Sequence, residues 1–591
     1  MRTLLIFAIA ACIAAGAPKP VAKPVAKPKT TAEQRAAQSL LRSLSLQDRV
    51  AQMVMASAYS EVPGSQTKDF TRLRHWMKDL HLGGLIVLNR GQYGLVRTAS
   101  PQTLAVFLNQ MQKLAKVPLL VGADFERGAS MRVNDTTRFP HNMAYGAARD
   151  VEATRYEGLM TAREARALGV HWIFAPDADV NNNPDNPVIN IRSYGENPGD
   201  VSQHVAAYID GAHSDPKNPV LVTAKHFPGH GDTTIDSHLD LARLEASRDR
   251  ISEVELKPFQ AAIAHKVDSI MTAHMTVPAI DPSDIPATVS VRVLTGLLRE
   301  DLGFQGLVIT DAMEMAGLAK QFNTGEASVR AIEAGADVLL MPPDPGVAIR
   351  AVLAAVGRGR ISRKRIDDSA LRILEAKVRL GLTKKKVVDI DAVSEALDLP
   401  EPAQEAQSVS DRAVTLVRNE GNLLPLATPD QACVVISSGL RISTFGQRMA
   451  EEYRRRAPQA RIVFVDNGLP SGALDAIVGD VSACSAVVFA TFTTDVAMRG
   501  DLPALVQKLT SGPIPVAFVS LGNPYLLKDF PGVAAFLSAF STATPSEVSV
   551  VKALLGEIPI TGHLPVTIPN FAQYGDGIQL PAKTRPAPSA N

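Results

Sequence analysis

The chain has 591 residues, 46% of them hydrophobic and 20% charged, with 40 glycines and 40 prolines. That composition belongs to a globular protein with a sizeable core and excludes a collagen-like or wholly disordered chain. With 61 basic and 60 acidic side chains the formal charge is +1, which excludes attraction of the whole protein to nucleic acid, and three cysteines cannot build a disulfide scaffold.

Residues 1–17 read as an export signal: Arg2 supplies charge, residues 4–15 are apolar, and Ala15-Gly16-Ala17 resembles a small-residue cleavage site. The apolar run is shorter than the roughly 20 residues a membrane span needs. Export to the periplasm or the medium is therefore expected, with lipidation at Cys12 as the alternative to cleavage. Residues 18–30 alternate Lys and Pro and should form an extended spacer. Lys19, Lys23, Lys27 and Lys29 make it a solvated tether, with contact to anionic lipid or cell-wall polymer as the second reading. Without Arg2 and these four lysines the body carries 56 basic and 60 acidic groups, close to −4.

From 31 to 385, eight short apolar runs (52–56, 84–88, 118–123, 171–175, 220–224, 268–273, 306–310 and 337–341) alternate with amphipathic stretches such as 100–116, 152–168 and 325–334. Eight β-α alternations predict an α/β fold, a (β/α)8 TIM-like barrel. Polar residues gather just after the runs: Asp124 after the third, Asp177 and Asp179 after the fourth, Lys225 and His226 after the fifth, His274 after the sixth, Asp311 after the seventh. Catalytic groups of such barrels sit at the C-terminal ends of the strands.

Residues 386–410 are acidic and read as a linker with a short helix. A second alternation follows over 411–575, with strand-like runs at 433–437, 461–466, 485–492, 514–521 and 533–540 and helical stretches at 445–456 and 547–556. Five near-continuous apolar strands predict a parallel α/β (αβα) sandwich domain. No G-x-G-x-x-G follows its first strand, so a dinucleotide role is unsupported. Cys433 and Cys484 are expected as buried free thiols, with one disulfide as the alternative. Residues 576–591 read as a tail.

The densest chemistry lies in KHFPGHGDTTIDSHLD, residues 225–240, with three histidines and three aspartates directly after a strand. His226 and His230 have the i, i+4 spacing of zinc ligands, but Pro228 and Gly229 between them oppose the helix that would align the rings. No metal is therefore expected. In Asp236-Ser237-His238 a carboxylate can orient an imidazole, and histidine is suited to giving and then taking a proton. Asp311, across the barrel mouth, would be the nucleophile. Double-displacement glycoside hydrolysis needs these two roles.

On these residues the chain resembles glycoside hydrolase family 3, in its β-N-acetylglucosaminidase branch. The loop 225–238 is the signature of that branch. Stretches 82–88, 122–132, 174–189, 191–195, 270–275, 286–290 and 308–315 support it, and 416–426 and 563–569 resemble the second domain that many members carry. The resemblance implies Asp311 as nucleophile, His238 as general acid/base and Asp236 as its dyad partner. It implies Lys225 and His226 as binders of sugar hydroxyls, and Asp124, Arg132 and Arg192 as holders of the terminal N-acetylglucosamine. One departure stands out. The family's Asp-Gln-Glu-Gly-Gly stretch is here Asp124-Phe125-Glu126-Arg127-Gly128, so Phe125 and Arg127 should reshape the rim on the leaving-group side.

The implied activity is that of an exported, retaining exo-β-N-acetylglucosaminidase acting on peptidoglycan fragments or related saccharides. It needs no cofactor, and the expected state is a monomer. A neutral imidazole does not repel anions, so phosphate is an alternative acceptor to water. A family 3 β-glucosidase or β-xylosidase is the nearest competitor, but those members lack the 225–238 loop. A non-catalytic cell-wall binder would need neither nucleophile nor dyad.

Overall fold

The structure is a computed structural model that describes residues 31–583 apart from 61–62, 93–94 and 441. The expected export signal, Cys12, the Lys/Pro spacer and the end of the tail lie outside the described residues.

Eight parallel strands form the first sheet: β1 (Val54–Tyr59), β2 (Gly84–Leu88), β3 (Leu120–Ala123), β4 (Trp172–Ile173), β5 (Leu221–Phe227), β6 (Ser269–Thr272), β7 (Leu307–Ile309) and β8 (Leu339–Leu340). Their order is β7-β6-β5-β4-β3-β2-β1-β8, and a parallel bridge from Ile309 to Val338 brings the two edges together. The strands carry Val, Ile, Leu and Met on both faces because helices cover the outside and side chains fill the inside. The eight expected runs fall on these eight strands. One boundary differs: β5 continues through Phe227, so Lys225 and His226 are buried strand residues rather than the start of a loop.

The connecting helices start and stop where local chemistry dictates. Helix α1 spans Asn142–Ala148 and α2 spans Val151–Leu168. The Asp150 side chain accepts the Ala153 N–H at 2.9 Å to cap the start of α2, and Gly169, at φ 86°, ends it in the left-handed region. Midway along α2, Glu164 accepts the N–H and the hydroxyl of Thr137 at 3.0 and 2.6 Å. Burial pushes its carboxyl up to about 7, against the Thr137 donors, which lower it. A raised folded-state pKa contributes stability in full below the unfolded value of 4.5 and loses it as pH rises through about 7. Glu547, also pushed up to about 7 by burial, acts in the same direction. The Tm of the wild type relative to that of Glu164→Gln is therefore expected to fall between pH 5 and pH 8. An unchanged slope in the variant would remove Glu164 from this account.

The second sheet has six strands: β9 (Thr415–Asn419), β10 (Cys433–Ser437), β11 (Arg461–Val465), β12 (Val487–Thr491), β13 (Val516–Ser520) and β14 (Ala535–Ser538). The order is β9-β14-β13-β12-β10-β11. The five expected strands are parallel, but β9 pairs antiparallel with β14, so the sandwich is mixed rather than purely parallel. β9 escapes a reading by apolar runs because Arg418 and Asn419 close it.

Two further expectations are corrected. Cys433 and Cys484 are joined in a disulfide, not free. Cys433 opens β10 and Cys484 lies just before β12, its neighbour in the sheet, which sets their Cα atoms 5.8 Å apart. The intervening strand β11 hides that adjacency from the spacing. The stretch 386–410 is largely helical, with a helix at Asp391–Leu397 and α3 at Pro400–Ala413. Pro400, which looked like a linker residue, occupies the first turn of α3, where its missing N–H costs nothing.

The two halves share a seam. Met143, Ala144 and Ala147 of α1, together with Ile191, are buried in the same apolar cluster as Phe518, Phe536 and Phe540. Polar contacts flank it. Asn181 Nδ2 donates to the Tyr525 hydroxyl at 2.9 Å, and Glu196 accepts the N–H and hydroxyl of Thr567, each at 2.7 Å.

Candidate active site

The C-terminal ends of the barrel strands open into a cavity of about 470 Å³. Asp124, Arg132, Arg192, Lys225, His226, His238 and Asp311 all line it. Asp236 stands one layer back, behind His238.

One wall is a buried charge network. Lys225 Nζ lies 3.0 Å from Asp124 Oδ1 and 2.6 Å from Glu126 Oε1. Arg132 Nη2 donates to the other Asp124 oxygen at 3.0 Å. Arg192 grips both Glu126 oxygens at 2.9 and 2.8 Å and approaches Asp177 at 3.2 Å. Burial alone would push the Asp124 carboxyl up, but Lys225 and Arg132 hold it below the ordinary range. Burial would likewise lower Lys225, and Glu126 and Asp124 raise it instead. The network thus holds fixed charges in a half-buried wall, where hydrogen bonds to a polar ligand are strong and directional.

Beneath it, Asp179 accepts the His226 Nδ1–H at 2.8 Å and the His230 N–H at 2.6 Å. Burial would lower the His226 pKa, but Asp179 outweighs it and raises it. His230 is tied to Thr233 and Ser237 through its two ring nitrogens. Asp177, Asp179 and His226 bring three potential metal-ligand atoms within 4.8 Å of one another. The Arg192 guanidinium against Asp177 and the His226 imidazole on Asp179 already supply the positive charge there, so these donors do not fit a metal.

Asp311 and His238 line the same cavity. Asp311 follows β7, and its Oδ1 accepts the Ala312 N–H at 2.7 Å. Burial pushes its carboxyl up, but His226, His274 and the Ala312 N–H more than offset this and keep it below the ordinary range. His274 donates from Nε2 to the Ala312 carbonyl at 3.0 Å, which fixes the turn carrying Asp311. His238 Nδ1 donates to Asp236 Oδ1 at 2.7 Å, Nε2 has no hydrogen-bond partner among the described residues, and the side chain is 58% exposed on the loop. Asp236 also accepts the His238 backbone N–H at 2.8 Å, so one carboxylate oxygen fixes both chain and ring.

Residues 45–376 match the glycosyl hydrolase family 3 N terminal domain. The chain belongs to glycoside hydrolase family 3. Among its relatives, the beta-N-acetylglucosaminidase/beta-glucosidase of Cellulomonas fimi is 28% identical, over 85% of this chain and 91% of its own length. Beta-hexosaminidase A of Pseudoalteromonas piscicida is 30% identical over 77% and 84%. A solved family 3 beta-N-acetylglucosaminidase from Paenibacillus sp. str. FPU-7 superposes with a TM-score of 0.80 at 32% identity, covering 89% of this chain and 99% of that one. The protein is thus a glycosidase.

In this family 3 glycosidase several cavity residues were not singled out from the sequence. Glu126 joins Lys225 to Arg192, and its signal was its place two residues beyond Asp124. Asp177 and Asp179, noted at a strand end, do not line the cavity but stand fully buried behind Arg192 and His226. His141 lines the cavity although no strand precedes it directly. Its backbone N–H reaches the Ser541 hydroxyl at 3.1 Å and its Nδ1 lies 3.0 Å from the same oxygen, across the seam. Phe125, expected to shape the rim, is fully buried in the barrel core and cannot do so, whereas Arg127 does line the cavity.

Proposed function

We propose that the protein is a retaining exo-β-N-acetylglucosaminidase. The supporting observation is that Asp311 and His238, held by Asp236, line one cavity together with the wall of fixed charges. In this reading an Asp311 oxygen attacks the anomeric carbon while His238, as imidazolium, gives its Nε2 proton to the departing glycosidic oxygen. Asp236 stabilises that imidazolium. His238 then takes a proton from water, which attacks the glycosyl-Asp311 ester and releases the sugar with retained configuration. Comparing 4-nitrophenol release from matched N-acetyl-β-glucosaminide and β-glucoside substrates tests the reading; preference for the glucoside overturns it. Export and a diet of peptidoglycan fragments belong to the same proposal, and finding the mature protein only in the cytoplasm counts against both.

His238→Ala is expected to cost roughly 10²–10⁴-fold on a natural disaccharide and much less on the 4-nitrophenyl substrate, whose leaving group needs no proton. Equal losses on the two would mean that His238 is not the acid.

A second reading rests on Arg127, a guanidinium that lines the same cavity as His238, where the proposed acid is an imidazole rather than a carboxylate. Phosphate could then replace water as acceptor, yielding a sugar 1-phosphate. Assaying products with and without phosphate decides between the two.

A further inference from the structure

Another cavity, of about 630 Å³, lies at the opposite end of the barrel. It opens at the N-terminal ends of β4 and β5, between the last turn of α2, the turn before β5 and the segment that leads on to α3. The stretch expected as a linker therefore forms one of its walls. Six cations line it against a single carboxylate, Asp389. Two of the cations are matched from behind: Arg163 pairs with Asp215 at 2.8 Å and Arg379 with Asp268 at 2.5 Å. The other four, Arg166, Lys217, Lys385 and Lys386, make no ion pair among the described residues. Lys386 Nζ reaches the Ala115 carbonyl at 3.4 Å. Arg166 is the least satisfied. Its Nη1 is buried without a hydrogen-bond partner, and its Nη2 reaches the Leu380 carbonyl at 3.4 Å. Burial lowers its pKa, and no carboxylate offsets that. His171 accepts the Val121 N–H on Nδ1 at 3.3 Å, which places its proton on Nε2. Burial, with the Arg166 and Lys377 cations, holds its pKa well below the usual range, so the ring adds a donor to the cavity but no charge. Val387, Val388 and Leu399, the last 41% exposed, give the same space an apolar side.

Cations gathered around one space repel each other, and an anion among them removes that repulsion while gaining charge-assisted hydrogen bonds. A phosphate monoester suits this set better than a carboxylate. It carries nearly two charges and three acceptor oxygens, enough for a guanidinium fork and separate ammonium groups at once. We propose that this cavity binds a soluble phosphate ester, with its phosphate on Arg166, Lys217 and Lys385 and its apolar part against Val387, Val388 and Leu399. The site is remote from Asp311 and His238, which stand at the C-terminal ends of the strands, so the inference does not rest on the glycosidase reading. A ligand there joins α2 of the barrel to the segment that leads to α3, and its binding should raise the Tm.

The test is calorimetric titration of the full chain with phenyl phosphate in 0.15 M sodium chloride, where loose attraction of counterions is screened over roughly 8 Å. Saturable binding of one molecule per chain is expected. Arg166→Gln and Lys385→Gln should each weaken it by roughly tenfold or more, the worth of one charge-assisted hydrogen bond. Lys385 is exposed, so its variant should fold and release 4-nitrophenol as the wild type does even if Arg166→Gln does not fold. Arg127→Gln, at the catalytic end, should bind phenyl phosphate unchanged, and the ligand should not compete with the 4-nitrophenyl substrate. Absence of saturable binding to the wild type overturns the proposal, and so does binding that Lys385→Gln keeps in full. Competitive inhibition together with loss of binding in Arg127→Gln would place the phosphate at the catalytic end and overturn it too. A last arm spins the protein with phosphatidylglycerol vesicles: sedimentation that depends on Lys385, without binding of phenyl phosphate, would make the cations a lipid contact and overturn the soluble ligand.

Discussion

Asp311→Ala is expected to lower kcat on 4-nitrophenyl N-acetyl-β-glucosaminide by roughly 10³-fold or more, because the proposed covalent route disappears with the carboxylate. The substitution should cost little stability. The Asp311 side chain accepts one hydrogen bond, from the adjacent Ala312 N–H, and makes no ion pair among the described residues. Its depressed pKa arises from His226 and His274, which remain in place. Added azide should partly restore turnover by entering the space left by the carboxylate, and the product should be a glycosyl azide. Turnover within tenfold of wild type would remove Asp311 from the nucleophile's role.

Lys225→Ala should produce the largest loss of stability, about 1–3 kcal/mol, since it takes one of the two cations from each of two half-buried carboxylates. Asp124 would keep only Arg132, and Glu126 only Arg192. A denaturant titration measures the loss. A double-mutant cycle with Glu126→Gln isolates the coupling, because the second substitution removes one of the two carboxylates that lose a cation. The double variant is therefore expected to be more stable than the sum of the two single effects predicts. A loss under 1 kcal/mol with additive behaviour would mean that solvent reaches the network and screens it.

The barrel was legible because eight strands buried on both faces leave eight uninterrupted apolar runs. The site was legible wherever a polar residue broke such a run at its C-terminal end, as with Asp124, Lys225, His226 and Asp311. It was not legible where position depends on distant parts of the chain. His141 reaches the cavity through a hydroxyl 400 residues away, and nothing in its neighbourhood announces that. Glu126 was quoted within its motif but passed over, because a carboxylate near other carboxylates is unremarkable until Lys225 and Arg192 are seen to straddle it. The disulfide depended on β10 and β12 being neighbours with β11 outside them, an order that alternating runs do not encode. The antiparallel β9 is an edge strand closed by polar residues, so its pairing is set by β14 rather than by its own pattern.

The seam bears on how the molecule comes apart. Met143, Ala144, Ala147 and Ile191 belong to the barrel by sequence but to the second domain by packing. Immediately after Ile191 comes Arg192, whose carbonyl accepts from Asn142 Nδ2 at 2.6 Å and whose guanidinium grips Glu126. Unfolding the second domain would expose the apolar face of α1, the helix whose Asn142 holds the Arg192 carbonyl. The two halves are therefore expected to unfold as one cooperative unit, the charged wall of the barrel mouth losing a neighbour of its supporting helix with the second domain.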